Sequence, residues 1–277
     1  MEKKLIFLDI DGTLVAPGRK EPPESAVRAI RKARENGHRV FLCTGRNYAM
    51  LEPLLVYGFD GVVASAGGYV RCGGKTLYDM PMPDGTRDRA VQALEKAGFA
   101  WAIECLNGVY GTEENFALMA ESRDKGSEAR RWREAVKSDL KFCSIDEYDG
   151  APVYKIMFIG RSGADLAGLE RELGGEFFVC LQSIFAKGDH IHGELINRAF
   201  DKGAGVRRIC EYLNVPVADT VGFGDSMNDL AMLETVGVGV CMEDGEEALK
   251  KISDLVCSPV EEDGIYQMFH LLGLIEG

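Results

Sequence analysis

Near its start the chain reads Lys4-Leu5-Ile6-Phe7-Leu8-Asp9-Ile10-Asp11-Gly12-Thr13, an apolar run that ends abruptly in two carboxylates and a glycine. The short apolar run predicts a buried strand over 4–8, and the Asp-Gly step predicts a turn directly after it. This first strand therefore delivers Asp9 to its carboxyl end.

Alternating strands and helices continue outward from this stretch. Apolar runs predict the strands, and helical periodicity between Pro22-Pro23 and Asn36-Gly37 predicts the first helix. The predicted strands cover 4–8, 39–43, 220–223 and 236–240, and the further predicted helices cover 47–57, 202–213 and 229–234. Such alternation implies an α/β protein with a doubly wound, mostly parallel sheet that helices cover on both faces.

The middle of the chain follows a different pattern. The segment Pro81-Met82-Pro83-Asp84-Gly85 is typical of a linker. After it, helical stretches over 87–97, 127–136 and 164–173 mix with strand-like runs over 99–104, 153–159 and 176–181. We predict a core formed by 1–81 and 191–277 and an inserted α+β domain over 82–190, with the charge-rich residues 121–141 as a solvated helical face.

Composition excludes several classes of function. The formal net charge is −12, and nucleic acids and anionic membranes both need a basic surface to bind. No apolar run approaches the roughly 20 residues that a membrane span needs. We therefore expect no nucleic-acid partner and no membrane partner, and we expect a cytoplasmic protein, whereas oligomeric state cannot be inferred from the sequence.

Polar residues follow three of the predicted strands. Asp9, Thr44 and Asp225 each come after a strand, and loops at the carboxyl ends of parallel strands converge on one crevice. The segments 9–13 and 224–229 together would bring several acids into that crevice, where they would repel one another. A hard divalent cation relieves such repulsion, and oxygen ligands without nearby His or Cys favour Mg²⁺.

These residue types fit phosphoryl transfer. A transferring phosphoryl group needs a metal, a fixed cation and hydroxyl donors, and Lys202 and Thr44 can supply the last two. An aspartate can act as nucleophile and form an acyl-phosphate, while a second carboxylate protonates the leaving oxygen and then activates water. Asp9 and Asp11 are the natural pair for these two roles.

Four motifs carry a resemblance to a known family. Asp9-Ile10-Asp11-Gly12-Thr13, Cys43-Thr44-Gly45-Arg46, Asp201-Lys202-Gly203 and the segment from Gly224 to Asp229 occur in this order. In this respect the chain resembles the haloacid dehalogenase superfamily, and within it the Cof-type sugar-phosphatase group, which carries a large cap inserted after the third core strand. The resemblance implies a Rossmann-like core, an inserted cap domain and a Mg²⁺-dependent phosphatase that acts on small phosphate esters.

The resemblance also implies a role for each matching residue. It makes Asp9 the nucleophile, Asp11 the general acid and base, and Thr44, Gly45, Arg46, Lys202 and Asn228 the phosphate or substrate binders. It makes Asp9, Asp225 and the main-chain carbonyl of Asp11 the magnesium ligands, with Asp229 orienting its neighbours. From the residues alone, Arg46 could equally reach a substrate phosphate or sugar hydroxyl, or lie exposed at a helix start.

The chain departs from the family pattern in two loops. Ala66-Gly67-Gly68 replaces the usual Asn-Gly-Ala, and Met242-Glu243-Asp244-Gly245 replaces the usual Met-Gly-Asn-Ala. Both departures concern substrate choice and loop shape rather than the chemistry. The substrates that the resemblance implies are sugar or polyol phosphates and cofactor phosphates such as pyridoxal phosphate.

The sequence gives little support to a functional role for Cys43, His190 or His192. Cys43 lies in a predicted strand and is expected to be a buried thiol, and His190 and His192 are expected to be polar surface on a strand that returns to the core. Two alternative functions remain: a phosphosugar mutase of the same superfamily, and a receiver-type signalling module, which also uses a phosphorylated aspartate. Release of free phosphate distinguishes the phosphatase from both.

Overall fold

The computed structural model describes residues 3–121, 142–183 and 190–276. The chain divides into two compact units, one formed by Met1–Arg46, Leu51–Asp79 and Phe200–Gly277 and the other by Asn47–Met50 and Met80–Ala199. Across the described ranges, every helix is too short or too polar to cross a membrane. The predicted helix over 127–136 and nearly all of the charge-rich stretch lie outside the described residues.

The elements are numbered along the described part of the chain. The strands are Leu5–Leu8 (β1), Arg39–Cys43 (β2), Gly61–Ala64 (β3), Tyr69–Cys72 (β4), Lys75–Asp79 (β5), Phe99–Cys105 (β6), Gly108–Gly111 (β7), Phe142–Ser144 (β8), Val153–Arg161 (β9), Phe177–Ser183 (β10), His190–Asn197 (β11), Thr220–Gly224 (β12), Val238–Met242 (β13) and Leu255–Cys257 (β14). The α-helices are Glu24–Glu35 (α1), Glu52–Leu55 (α2), Asp84–Ala97 (α3), Glu113–Glu121 (α4), Leu166–Leu173 (α5), Lys202–Leu213 (α6), Leu230–Leu233 (α7), Glu247–Lys250 (α8) and Gly264–Leu271 (α9).

The first unit is built on an eight-stranded sheet. Its strand order is β14-β13-β12-β1-β2-β3-β4-β5. The strands from β14 to β3 are all parallel, whereas β4 and β5 add an antiparallel edge. All four residues of β1 are buried, because this strand lies at the centre of the sheet between β12 and β2. Such double burial explains why its sequence is apolar throughout.

Helices cover both faces of this sheet. On one face, Phe7 stacks on Phe41 with ring centroids 5.0 Å apart, and both belong to a core that includes Val206 and Ile209 of α6. On the opposite face, the Phe223 ring lies 5.5 Å from that of Phe269 in α9, which packs beside α1. The predicted α/β class with a doubly wound, mostly parallel core is confirmed.

The second unit is built on a six-stranded sheet in the order β10-β11-β9-β6-β7-β8. Its strands are antiparallel except for the pair β7 and β8. A core of apolar side chains that includes Leu94 of α3 and Leu169 of α5 packs on one face, with Phe99 and Phe158 in edge contact. A smaller cluster contains Met157, Leu118 of α4 and Met50. This mixture of helices and antiparallel strands is the α+β architecture predicted for the inserted segment.

The limits of the two units differ from the predicted ones. The predicted boundary between the inserted domain and the core lies at 190/191. However, β11 pairs with β9 and β10, so its residues belong to the second unit. The first unit resumes at Phe200. The segment Asn47–Met50 also belongs to the second unit, where the Ala49 N–H donates to the Leu106 carbonyl at 2.9 Å. The expectation that His192 is polar surface is wrong, because this residue is buried within β11.

Candidate active site

The first strand positions Asp9 at the carboxyl edge of the central sheet. The Asp9 N–H donates to the Phe223 carbonyl of β12 at 3.0 Å, which continues the parallel ladder one residue beyond β1. Because β2 and β12 flank β1 in parallel, Thr44 and Asp225 leave the sheet at the same edge. The ends of three neighbouring strands therefore provide the site, as the topology of open α/β sheets predicts.

Lys202 lies at the first position of α6 and its side chain is fully buried. Its Nζ donates to Asp9 Oδ1 at 2.7 Å, to Asn228 Oδ1 at 2.8 Å and to Asp229 Oδ1 at 2.5 Å. An ammonium group has three donors, and these three acceptors use all of them. The lysine is thus fixed by residues from two separate segments, the end of β1 and the loop after β12.

Among the described residues, three carboxylates share this site with a single cation, the Lys202 ammonium group. Single oxygens of Asp9, Asp225 and Asp229 lie within 4.8 Å of one another. Burial and the charge of Asp229 raise the pKa of Asp9 from 3.8 to about 8, although Lys202 opposes the shift. Burial together with Asp9 and Asp229 also raises the pKa of Asp225 well above its usual range.

The charge of Lys202 is stabilised by the same neighbours. Burial alone would lower its pKa, but Asp229 and Asp9 outweigh burial, and the pKa of Lys202 is raised well above its usual range. One ammonium group is not enough to keep three buried carboxylates ionised together, so the site favours a further cation.

Asp225 and Asp229 are held by hydrogen bonds from the surrounding chain. Asp225 Oδ1 accepts from Thr13 Oγ1 at 2.9 Å. Asp229 Oδ2 accepts from the N–H groups of Asp225 and Ser226 at 3.1 and 3.2 Å. Asp229 therefore connects Lys202 to the loop that carries Asp225.

Gly12 makes room for Asp225. Its φ of +89° lies in the left-handed region, and a Cβ at this position would collide with the Asp225 carboxylate. Only glycine meets both requirements without strain. The glycine of the first motif thus permits the close approach of the first and fourth motifs.

Asp11 is not one of these three clustered acids and pairs with Arg46, although its charge also contributes to the raised pKa of Asp9. The Arg46 Nε and Nη2 donate to the two Asp11 carboxylate oxygens at 2.9 and 2.7 Å. The Arg46 N–H donates to Thr44 Oγ1 at 3.1 Å, and both Thr44 and Gly45 are buried. The alternative in which Arg46 lies exposed at a helix start is wrong, because only 10% of its side chain is accessible.

The two loops that depart from the family pattern both border the site. Ala66 has a φ of +56° and Ser65 a φ of +48°, so two non-glycine residues in succession adopt left-handed backbone. The Ala66 N–H donates to the Thr44 carbonyl at 3.0 Å. In the other loop, the Glu246 N–H donates to the Asp225 carbonyl at 2.8 Å, while Glu243 and Asp244 are exposed.

The ligand atoms at this site suit a hard divalent cation. The clustered ligand atoms are all carboxylate oxygens, and burial, followed by the charge of neighbouring carboxylates, raises the pKa values of Asp9 and Asp225. Within the described ranges, His190 and His192 belong to no such cluster. Cys43 is buried and its thiol pKa is raised mainly by burial, as expected for a structural strand residue.

The structure brings together most of the residues that the sequence singled out. Asp9, Asp225, Asp229, Lys202 and Asn228 form one hydrogen-bonded and charged group, and Asp11, Arg46 and Thr44 form a second. Thr13 was not predicted as a partner of Asp225, although it lies within the first motif. The pairing of Asp11 with Arg46 was not predicted either, because neither residue type gives a local signal for it.

Comparison with known proteins identifies the family. The sequence profile of the haloacid dehalogenase-like hydrolases matches residues 6–269, and the chain belongs to this family. It is 27% identical to the phosphatase YwpJ of Bacillus subtilis over 292 residues, with coverage of 97% of this chain and 100% of the relative. It is 26% identical to the pyridoxal phosphate phosphatase YbhA of Escherichia coli over 292 residues, with coverage of 98% of both chains.

A solved structure gives the same result for the fold. The crystal structure of a hypothetical protein from Geobacillus kaustophilus superposes with a TM-score of 0.81 at 25% identity, covering 99% of this chain and 100% of the other. The match to the family profile confirms the predicted family, and the phosphatase relatives confirm the predicted class of enzyme, a phosphatase among the hydrolases.

Proposed function

We propose that this phosphatase hydrolyses small phosphate monoesters in a Mg²⁺-dependent reaction in which Asp9 becomes an aspartyl-phosphate. The observation that carries the proposal is the contact of 2.7 Å between Lys202 Nζ and Asp9 Oδ1 within the buried carboxylate group. A lysine held there can neutralise a phosphoryl oxygen beside the attacking carboxylate.

Asp9, Asp225 and the main-chain carbonyl of Asp11 would hold the magnesium ion, with Asp229 fixing the loop around Asp225. When bound, the ion supplies positive charge for the phosphoryl oxygens and for the acids themselves. The raised pKa of Asp9, about 8, is a reason for metal dependence, since an uncharged carboxyl group is a poor nucleophile.

The chain's own residues supply two successive displacements. An Asp9 oxygen attacks phosphorus while the ester P–O bond breaks, and the leaving oxygen takes a proton from the Asp11 carboxyl group. Water then attacks the same phosphorus and gives a proton to Asp11, and the bond between phosphorus and Asp9 breaks to release inorganic phosphate. Thr44 and Lys202 hold the phosphoryl oxygens throughout.

Sugar phosphates and related metabolites are the proposed substrate class. The family resemblance supports this choice, and the relative YbhA, named for pyridoxal phosphate, adds a cofactor phosphate to the candidates. The Ala66 position bears on the choice, because an alanine there lacks the amide group that the usual family pattern Asn-Gly-Ala has at this position.

The test measures phosphate release from a panel of sugar, polyol and pyridoxal phosphates, with Mg²⁺ and with a chelator. Wild type is compared with Asp9→Asn and with Asp146→Asn, which changes an exposed aspartate in the second unit. We expect Mg²⁺-dependent turnover in wild type and Asp146→Asn and none in Asp9→Asn. Stable labelling of Asp9 by acetyl phosphate without turnover would favour a receiver, and isomerised product without free phosphate would favour a mutase.

A further inference from the structure

The pairing of Arg46 with Asp11 has the geometry of a fixed support. Both oxygens of the Asp11 carboxylate accept from the guanidinium, at 2.7 and 2.9 Å, and the two side chains are 7% and 10% accessible. A planar fork that binds both oxygens fixes the plane of a carboxylate as well as its position. A contact to only one of the two oxygens would leave the plane of the carboxylate free to rotate.

The backbone of Arg46 is itself held from both sides. Its N–H donates to Thr44 Oγ1 at 3.1 Å, and its carbonyl accepts from the Ser65 N–H at 2.8 Å. Ser65 lies directly after β3, so that Arg46 is tied to the ends of two neighbouring strands. The guanidinium therefore reaches Asp11 from a rigid base.

We propose that Arg46 is a positioning residue that holds the Asp11 carboxyl group in the orientation needed for both proton transfers. The proposal rests on the proposed function, in which Asp11 gives a proton to the leaving oxygen and later takes one from water. Arg46 makes and breaks no covalent bond and transfers no proton. Substrate binding by Arg46 is the competing hypothesis, because only two of the five guanidinium donors serve Asp11.

Leaving-group dependence separates positioning from substrate binding. An alkyl phosphate needs a proton on its leaving oxygen, whereas p-nitrophenyl phosphate releases a stable phenolate and needs it far less. For Arg46→Met we expect kcat/KM to fall by about 10²-fold with an alkyl phosphate, the size of a general acid effect, but by less than about tenfold with the aryl ester. KM should change little.

A double-mutant cycle tests whether Arg46 acts through Asp11. In the Asp11→Asn background, adding Arg46→Met should cost less than about threefold in kcat/KM, because the group that Arg46 positions is already lost. Arg34→Met is the matched control, since Arg34 also binds both oxygens of an aspartate, Asp60, at 3.0 and 3.1 Å. That variant should keep wild-type kinetics.

Three results would overturn the proposal. Equal losses for the two esters with a raised KM would show that Arg46 binds substrate, multiplicative losses with Asp11→Asn would show independent action, and a gain in kcat would show that Arg46 restrains Asp11. If Arg46→Met fails to fold, Arg46→Lys keeps the charge but loses the fork, and it should show the same selective loss for the alkyl ester. Wild type without turnover of either ester would instead reject the proposed function and, with it, this role.

Discussion

The Lys202 ammonium group lies 2.7 Å from Asp9 Oδ1, although the two residues are 193 positions apart in the sequence. The same group lies 2.5 Å from Asp229 Oδ1. A single cation is thus shared between a carboxylate at the end of β1 and one in the loop after β12. This sharing links the proposed nucleophile, the proposed phosphate-binding lysine and the loop that carries the proposed metal ligand Asp225 into one electrostatic unit.

Replacing Lys202 with methionine should nearly abolish activity. The change removes the cation that opposes the raised pKa of Asp9, and it removes the hydrogen bond that Asp9 and Asp229 each accept from the ammonium group. We expect kcat to fall by at least about 10²-fold, the cost of removing one charge-stabilising group from an active site. Phosphate release at saturating Mg²⁺ measures the loss, and Lys75→Met, at an exposed lysine of the same unit, should be unaffected. A Lys202→Met enzyme with wild-type kcat would contradict the assigned role.

Without metal, the folded protein should become less stable as pH rises from about 4 to about 8. The pKa of Asp9 is raised from 3.8 to about 8 on folding, so the folded chain binds this proton more tightly than the unfolded chain does. The stabilisation is complete below the unfolded pKa and is lost as pH passes through the folded pKa. Asp225 shifts in the same direction.

Chemical denaturation at pH 5 and pH 8 in the presence of chelator checks this linkage. We expect the free energy of unfolding to be lower at pH 8 by at least about 1.4 kcal/mol, the equivalent of one pKa unit. Asp9→Asn should reduce the difference, and Asp146→Asn should leave it unchanged. Higher stability of the wild type at pH 8 than at pH 5 would refute the prediction.

Gly12→Ala should weaken the site more than a comparable glycine substitution elsewhere. Gly12 and Gly74 have similar φ values, +89° and +84°, so an alanine at either position costs the strain of left-handed backbone, about 1–2 kcal/mol. Only at Gly12 would the new Cβ also collide with Asp225, whereas no atom lies within 4 Å of the corresponding position at Gly74. We expect both variants to lose stability and only Gly12→Ala to lose Mg²⁺-stimulated phosphatase activity, measured with the best ester of the panel. Equal activity in the two variants would show that the approach of Gly12 to Asp225 is unimportant.

Local sequence patterns were sufficient to predict the central parallel sheet. The apolar run predicts β1 directly, and the helical periodicity of Lys202–Leu213 predicts α6. Both ends of α6 lie at the predicted residues. The β4–β5 hairpin was missed because β4 is only four residues long, while β5 is largely exposed and shows no clear alternation of apolar and polar residues. β13 begins two residues later than predicted, because the Val236 N–H donates to the Met232 carbonyl in α7 and the Gly237 N–H donates to Thr220 Oγ1 at the start of β12.

Contacts between distant side chains limited the prediction of the site. The four motifs indicate which residues gather at the sheet edge, because parallel strand ends converge. They do not indicate that Arg46 takes both oxygens of Asp11, 35 positions away. Such a pair depends on rotamers and on the backbone of Thr44 and Ser65, and none of these can be read from residue type.

The second unit contains a buried charged cluster whose loss should be costly. Lys155 Nζ lies 3.1 Å from Glu104 Oε1 and 2.7 Å from Glu194 Oε1, and the three side chains are 1%, 0% and 2% accessible. Lys155→Met leaves two buried carboxylates without this cation, and breaking a buried ion pair costs about 3–5 kcal/mol of unfolding free energy. The triple variant Glu104→Gln, Lys155→Met, Glu194→Gln should recover much of that loss, because it removes the charges together. Lys96→Met, which removes the exposed pair with Glu172, should cost no more than about 1 kcal/mol. Urea denaturation of wild type and these three variants measures the free energies of unfolding. A cost below about 1 kcal/mol for Lys155→Met would contradict the prediction and mean that other groups stabilise the two glutamates.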